Sequence, residues 1–522
     1  MSGPDLAVVA AYLAAVLALS AWLGRRQAAG DDYHVGARRL PWWALGLSTM
    51  ATQSSANSFI GIPAFVALVP GGGLTWLQYE LALPLALLLV MAVFVPVFRG
   101  LGLVSIYEYL ELRFDRATRL WLSAVFLLSR AAATAVALYA AAVVVEVLTG
   151  LPLAWSVLLT GGVTVLYGVM GGMRAVVWSD VLQMGVLLVG LLACIGLALQ
   201  ALGGPAAALA QVDPARLTGL GAGHGLGDGA RAPAWGFVLG GFVLYVAYYG
   251  VDQSQVQRQL SAASVADARR ALLFNALGRF PLTLLYALLG LLLAAVWAGS
   301  PALRAAVPPD RLDLLVPRYI EQMLPVGLRG LLVAAVLAAA MSSLDSAVNS
   351  LSAASLRDFG ERWVPERHEL RVARGLTLAW GALITLLALQ VGGWSSTVVE
   401  GINRVGALFY GPLLAAFACG LADPRARGPA VRAGVVAGLA VNVALWQGLG
   451  SAVFWMWWNL SGLVVAAAVT AGLSRLPGLW SGPVRSLPPL PAREPLPRAW
   501  VLAAWAATGL IALLLLALPG PR

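Results

Sequence analysis

The chain has 522 residues, 60% of them hydrophobic and only 11% charged, with a mean hydropathy of +0.82. That balance excludes a soluble globular protein and indicates a polytopic membrane protein. The formal charge of +10 comes from arginine alone, with no lysine; spread over short connections it reads as an orientation signal, not a nucleic-acid footprint.

Apolar runs long enough to span occur at about 5–24, 41–69, 75–98, 118–149, 153–171, 177–202, 234–256, 271–298, 327–355, 371–392, 396–421, 429–449, 452–473 and 498–518. The expectation is an all-α protein of about fourteen transmembrane helices. Residues 6–23 are followed, not preceded, by Arg25 and Arg26, so the first run reads as an uncleaved helix and not a signal peptide. Arginines crowd alternate connections: Arg38 and Arg39, Arg113, Arg116 and Arg119, Arg174, Arg258, Arg269 and Arg270, Arg357, Arg362, Arg367 and Arg371, Arg425, Arg427 and Arg432, then Arg475 and Arg485. The intervening turns, 69-VPGGGLT-75 and 149-TGLP-152 among them, carry none. The positive-inside rule then places both termini outside. Residues 203–233, rich in Gly, and 299–326 become long external loops. The Pro-rich 476–497 becomes an internal linker, and no soluble domain is expected. Arginine in place of lysine, with so much Ala, Leu and Gly, points to a GC-rich bacterial genome and hence to a bacterial cytoplasmic membrane.

Two runs carry polar interruptions, 52-TQSSANS-58 and 248-YYGVDQSQ-255. Counted from the second helix, they are first and sixth of a ten-helix core. Broken helices at matching positions of two five-helix halves point to an inverted repeat with its site near the midplane. Backbone freed at that depth survives only where it lines a cavity or binds something. The segment 339-AAMSSLDSAVNSLSAASLRDF-359 carries a second signal. Ser342, Asp345, Ser346 and Asn349 fall at i, i+3, i+4 and i+7 on one helix face, with Ser343 beside them. An oxygen-rich stripe without thiol or imidazole suits a hard cation such as Na⁺. Hydrogen bonding between helices is the competing role for such a stripe.

Several segments together resemble the sodium/solute symporter family, which includes sodium-coupled proline, sugar, sialic acid, monocarboxylate and vitamin transporters. They are 171-GGMRAVVWSDVLQMG-185, 252-DQSQVQRQL-260, 342-SSLDSAVNSLSAASLRDF-359 and 456-MWWNLSG-462. The segment 99-RGLGLVSIYEYLELRFDRATR-119 is similar to the branch carrying iodide, monocarboxylates and multivitamins. The resemblance runs from about residue 40 to 470. It implies the five-plus-five inverted repeat of the LeuT type, with one helix before and three after. The corresponding parts are an extra helix and internal loop (1–40), the first repeat (41–202), the external loop (203–233), the second repeat (234–421) and three further helices (422–522).

The resemblance also implies a main Na⁺ site, with backbone carbonyls of Ala51, Ser54 and Ala339 and hydroxyls of Ser342 and Ser343. A second Na⁺ would be held by Asp180, Ser342, Asp345 and Ser346. Asp180 has the alternative role of helix N-cap, because 178-WSD-180 begins an apolar run. Gln53 stands where the proline carriers have Asp. Arg130 lies deep in the third core helix, where an arginine costs about 2.5–3.5 kcal/mol on insertion scales and so needs a partner or a cavity. The resemblance to sialic acid carriers makes Arg130 a ligand for a substrate carboxylate, with Ser55 and Ser58 as polar contacts; Asn57, Gln78, Glu80 and Tyr245 are further candidates for the same cavity. The alternative for Arg130 is an ion pair with Glu80 or Glu146. Glu400 and Arg404, four apart, read as such a pair.

The two cysteines, Cys194 and Cys419, sit in separate apolar runs and form no redox motif. His34, His224 and His368 are expected in loops, without ligand spacing or a catalytic dyad. No phosphate loop or nucleophile elbow is present. The expectation is therefore not an enzyme but a Na⁺-coupled symporter importing a small organic solute, a carboxylate-bearing anion foremost. It needs no cofactor beyond Na⁺ as coupling ion. Its partners are the solute and the bilayer, not nucleic acid, and it is expected as a monomer. A proton-coupled permease with Asp345 or Asp180 as carrier, a sodium-coupled sugar or amino acid carrier, and a membrane sensor are the alternatives. The absence of lysine lowers the sugar reading, and the absence of a cytoplasmic kinase after the last helix lowers the sensor.

Overall fold

A computed structural model describes residues 1–25, 30–221, 225–227, 233–391, 398–476, 478, 485, 487 and 494–518. Arg26 and His224 lie outside them, as do most of the Pro-rich 476–497 and the side chain of Glu400, so the Glu400–Arg404 pair falls outside the description.

Chain chemistry sets the helix ends. Ser2 and Asp5 cap α1 (Gly3–Gly24) reciprocally, and the short α2 (Gly30–Val35) follows. The next apolar run is interrupted: α3 (Trp42–Gln53) stops where Ser54 leaves helical geometry (φ −84°, ψ 65°), and α4 (Ala56–Leu68) restarts after extended Ser55. Residues 73–100 form one apolar passage with a π-turn at Val90–Phe94, carrying α5 (Leu83–Leu89) and α6 (Val95–Gly100). After α7 (Glu108–Arg113), Asp115 caps α8 (Arg116–Thr149), accepting from the Thr118 amide at 2.7 Å.

The runs expected at 153–171 and 177–202 join in α9 (Leu153–Ala201), bent at Gly172. There φ is +52° and ψ −155°, a region open essentially to glycine alone. Beyond α10 (Pro205–Gln211) comes the second interruption. α11 (Gly241–Val251) ends at Asp252, which caps α12 (Gln253–Leu260). Then follow α13 (Val265–Gly299), α14 (Pro301–Ala306), α15 (Leu315–Met323) and α16 (Leu328–Ala354). The expected loop at 299–326 is thus largely helical. The last helices are α17 (Glu366–Ala388), α18 (Val398–Ala422), α19 (Gly428–Gly448), α20 (Trp457–Leu473) and α21 (Arg498–Ala517). Among the described residues ten helices are long and apolar enough to cross a membrane, with three shorter apolar ones.

α16 is the axis of the bundle. It is buried along nearly all its length and packs on α9, α8, α17 and α1, with α3 and α4 against its middle. A helix apolar or small on every side has this fate. At the outer layer, α18 and α20 approach so closely that a Cβ on Gly411 would stand 2.0 Å from the Asn459 carbonyl oxygen.

Two histidine placements differ from expectation. His34 lies in the last turn of α2 and is fully buried, and His368 lies in the first turn of α17. Arg258 differs more. Expected in a connection after an apolar run, it sits on α12 inside the bundle, 1% exposed.

Candidate functional site

The break between α3 and α4 faces the middle of α16. There Ser342 Oγ donates toward the carbonyl oxygens of Ala51 (3.2 Å) and Ala339 (3.0 Å), and Ser343 Oγ toward those of Thr52 (3.2 Å) and Ala339 (3.4 Å). Carbonyls of α3 lose their helical partners at the break, and two hydroxyls of α16 meet them. Ser54 lies in the break itself. Its contact is to the other side, its hydroxyl accepting from Arg279 Nη1 at 2.7 Å. Hydroxyls can rotate their hydrogens away and, with carbonyl oxygens, form a donor set suited to a small hard cation.

Asp180, Asp345 and Ser346 gather one turn along α16, but a side chain stands among them. Arg258 Nη2 is 3.0 Å from Asp180 Oδ2 and bonds the hydroxyls of Ser346 and Thr52; its Nε donates to Ser48 Oγ at 2.7 Å and its Nη1 to the Ser254 carbonyl at 2.5 Å. Asp345 is held separately, accepting from Tyr167 OH at 2.6 Å and Ser346 Oγ at 3.1 Å. The N-cap alternative for Asp180 fails, since that residue lies inside α9, well past the Gly172 bend.

Beside the break opens a cavity of about 140 Å³. Of the residues expected to contact a solute, Ser55, Asn57, Ser58 and Arg130 line it. Gln78 and Tyr245 do not. Gln78 is buried against Thr75 and Gly221 (2.8 and 3.0 Å), and Tyr245 stacks on Tyr79 and reaches Glu80 at 3.4 Å. Thr52 and Ser343 line the cavity as well, so it shares a wall with the hydroxyl–carbonyl cluster. Aromatic rings of Trp76, Tyr79, Tyr248 and Tyr410 supply its apolar surface.

The ion pairs expected for Arg130 are not those observed. Arg130 Nη1 pairs with Asp252 Oδ2 at 3.2 Å, and Glu80 faces Arg279 Nε at 3.6 Å. Arg279, Asp252 and Tyr410 therefore belong to the site, beyond the residues expected from the sequence. Arg279 carried the same signal as Arg130, an arginine deep in an apolar run. Asp252 was visible as the polar residue at the second interruption.

The sodium:solute symporter family model matches residues 33–427. The human sodium/iodide cotransporter is 32% identical over 462 residues, 86% of this chain and 70% of that protein. Human sodium-coupled monocarboxylate transporter 1 is 30% identical over 83% of this chain and 71% of its own. The sodium-dependent multivitamin transporter of Oryctolagus cuniculus is 32% identical over 80% and 65%. Among solved structures, the substrate-bound outward-open state of a Na⁺-coupled sialic acid symporter superposes with a TM-score of 0.79 at 24% identity, covering 91% of this chain and 98% of that one. A nucleobase-cation-symport-1 family transporter, closed on bromovinylhydantoin, shares the fold more distantly, with a TM-score of 0.51 at 15% identity over 84% and 93%. A multi-pass bundle with hydroxyls and carbonyls at a broken helix, matched by a family model over most of its length, belongs to the sodium:solute symporter family and is a transporter working by Na⁺-coupled symport.

Proposed function

We propose that the chain imports a small carboxylate-bearing anion with Na⁺, by alternating access of a five-plus-five inverted-repeat core. The observation that carries this is the shared wall: Thr52 and Ser343 belong both to the oxygen cluster at the α3–α4 break and to the cavity that Arg130 lines. Na⁺ held by the carbonyls of Ala51, Ser54 and Ala339 and the hydroxyls of Ser342 and Ser343 would brace the break, and the break carries Ser55, Asn57 and Ser58 toward the solute. Binding of one then favours binding of the other. Arg130 offers a planar fork to a carboxylate. The cavity is small beside the roughly 300–1,000 Å³ of sites for drug-sized ligands, which suits a small solute. The relatives named for monocarboxylates and for iodide support a small monovalent anion.

A second Na⁺ at Asp180 and Ser346 would have to displace the guanidinium of Arg258 from both. Proton coupling keeps one specific support: Arg258 pairs with Asp180 and is linked to Asp345 through Ser346, whose hydroxyl donates to Asp345 Oδ1 at 3.1 Å.

The test is uptake of radiolabelled lactate and of iodide into proteoliposomes under a Na⁺ gradient, with choline in place of Na⁺, and under a proton gradient alone. Lactate uptake that requires Na⁺ is expected. Arg130→Lys keeps charge but loses the fork, so half-maximal lactate concentration should rise about tenfold, and further in Arg130→Gln, with Na⁺ binding retained. Equal uptake by wild type and Arg130→Gln would remove the carboxylate role. Uptake driven as well by protons as by Na⁺ would favour the permease.

A further inference from the structure

Arg130 stands between two cavities. The larger is the solute cavity above; a second, of about 20 Å³, also has Arg130 and Tyr410 in its wall, together with Asp252 and Leu413. Along α8 and α18 the second cavity uses Phe126 and Leu413 where the first uses Ala137 and Asn403, so it lies toward the arginine-rich ends of both helices. Four side chains close the partition. Arg130 Nη1 reaches Asp252 Oδ2 at 3.2 Å, Tyr410 OH donates to the same oxygen at 3.3 Å, and the guanidinium lies 5.9 Å from the Tyr248 ring centre. They come from α8, the α11–α12 break, α18 and α11, so one carboxylate ties three separate parts of the bundle together. The other oxygen of Asp252 is engaged independently, capping α12 through the Ser254 amide at 2.9 Å and hydroxyl at 2.6 Å. Arg130 Nε is buried with no partner among the described residues, which leaves the fork incompletely used.

We propose that Asp252 is the internal counter-anion of Arg130 and a specificity-determining residue of the carrier: it closes the floor of the solute cavity and occupies the arginine until a solute anion takes its place. The displacement part rests on the reading of Arg130 as solute anchor; the closure part does not. One side of the exchange is an intramolecular carboxylate at 3.2 Å, the other an incoming anion on the same fork. A neutral solute cannot make it. An anion that does so releases Asp252 from α8, and the break at α11–α12 is then free to move.

The test needs no knowledge of the solute. Of these two cavities Leu413, 4% exposed, lines the smaller and not the larger. Leu413→Cys is placed in a background with the two buried native cysteines, Cys194 and Cys419, changed to Ala. Its reaction with a small charged methanethiosulfonate is timed in detergent-solubilised protein. Reaction should be slow with Asp252 present and about tenfold faster in Asp252→Asn, which keeps an oxygen for the α12 cap but loses the charge. Asp252→Glu and Arg130→Lys should restore slow reaction, whereas Arg130→Gln should match Asp252→Asn. If Asp252→Asn does not fold, Tyr410→Phe, which removes only the hydroxyl, should raise the rate severalfold. Equal rates in wild type, in every folded variant of Asp252 and in Tyr410→Phe would overturn the proposal. Failure of Arg130→Gln to alter lactate uptake would instead fall on the anchor reading and leave the closure standing.

Discussion

Arg258 puts a full charge inside the bundle, and the structure shows how that is tolerated. Its donors meet Asp180, Ser48, Thr52, Ser346 and the Ser254 carbonyl, so the guanidinium is bonded on all sides. Removing one partner of a buried pair costs about 3–5 kcal/mol because the other is left uncompensated. Arg258→Met should therefore lower the melting temperature in detergent strongly, and Arg258→Met with Asp180→Asn should regain much of the loss. A double variant no better than the single would mean that the pair does not carry the stability. Asp180→Asn is expected to leave Na⁺ cooperativity unchanged; a fall in the Hill coefficient would assign Asp180 to a second ion instead. Spacing along one helix was enough to single out Ser342, Asp345, Ser346 and Asn349 as one face, with Ser343 beside it. It could not pair Arg130 with Asp252 or Arg258 with Asp180, because those partners are 122 and 78 residues apart and meet only when helices pack. Arg258 was misplaced for a related reason: a lone arginine after an apolar run looks like a loop charge until the run is known to break at Asp252.

Among the elements, the interruptions were legible because clusters of hydroxyls and amides do not continue an apolar helix without a reason, and α3–α4 and α11–α12 part at those clusters. The helices within 299–326 were less so, since short segments such as α15 make their turns on a mixture of polar and apolar residues that also reads as loop. The placement of α2 was not legible at all. Tyr33 donates to the Gly168 carbonyl at 3.1 Å, the His34 carbonyl accepts from Gln257 at 2.6 Å, and the His34 ring is fully buried. Burial, with Arg357 nearby, pushes the His34 imidazole down to about 3. A free imidazole titrates near 6.5, so the unfolded chain takes up a proton that the folded one refuses. The stability from neutral His34 is complete above about pH 6.5 and is lost as pH falls toward 3. At pH 5 the loss is roughly 2 kcal/mol. The melting temperature should thus fall between pH 7 and 5, and His34→Gln should flatten that slope. An unchanged slope in the variant would place the titration elsewhere.

For the molecule as a whole, α16 is the part that every reading uses. It carries the hydroxyls at the α3–α4 break, touches the Arg258 network through Ser346, and holds Asp345 against Tyr167 on α9. Coupling a monovalent anion to one Na⁺ moves no net charge, so the membrane potential does no work on the pair, and a tenfold Na⁺ gradient, about 1.4 kcal/mol, sustains roughly a tenfold solute ratio. Each further coupled Na⁺ adds roughly 2.3 kcal/mol from about 100 mV and about 1.4 from the gradient, a further factor of several hundred. All of it depends on Na⁺ binding where the carbonyls of α3 meet Ser342 and Ser343. The most direct measurement is equilibrium binding of ²²Na⁺ to purified wild type and to the Ser342→Ala/Ser343→Ala variant, each checked for folding by its melting temperature. Saturable binding in wild type, weakened by at least about tenfold in the variant, is the predicted result; equal ²²Na⁺ binding by both folded proteins would contradict it.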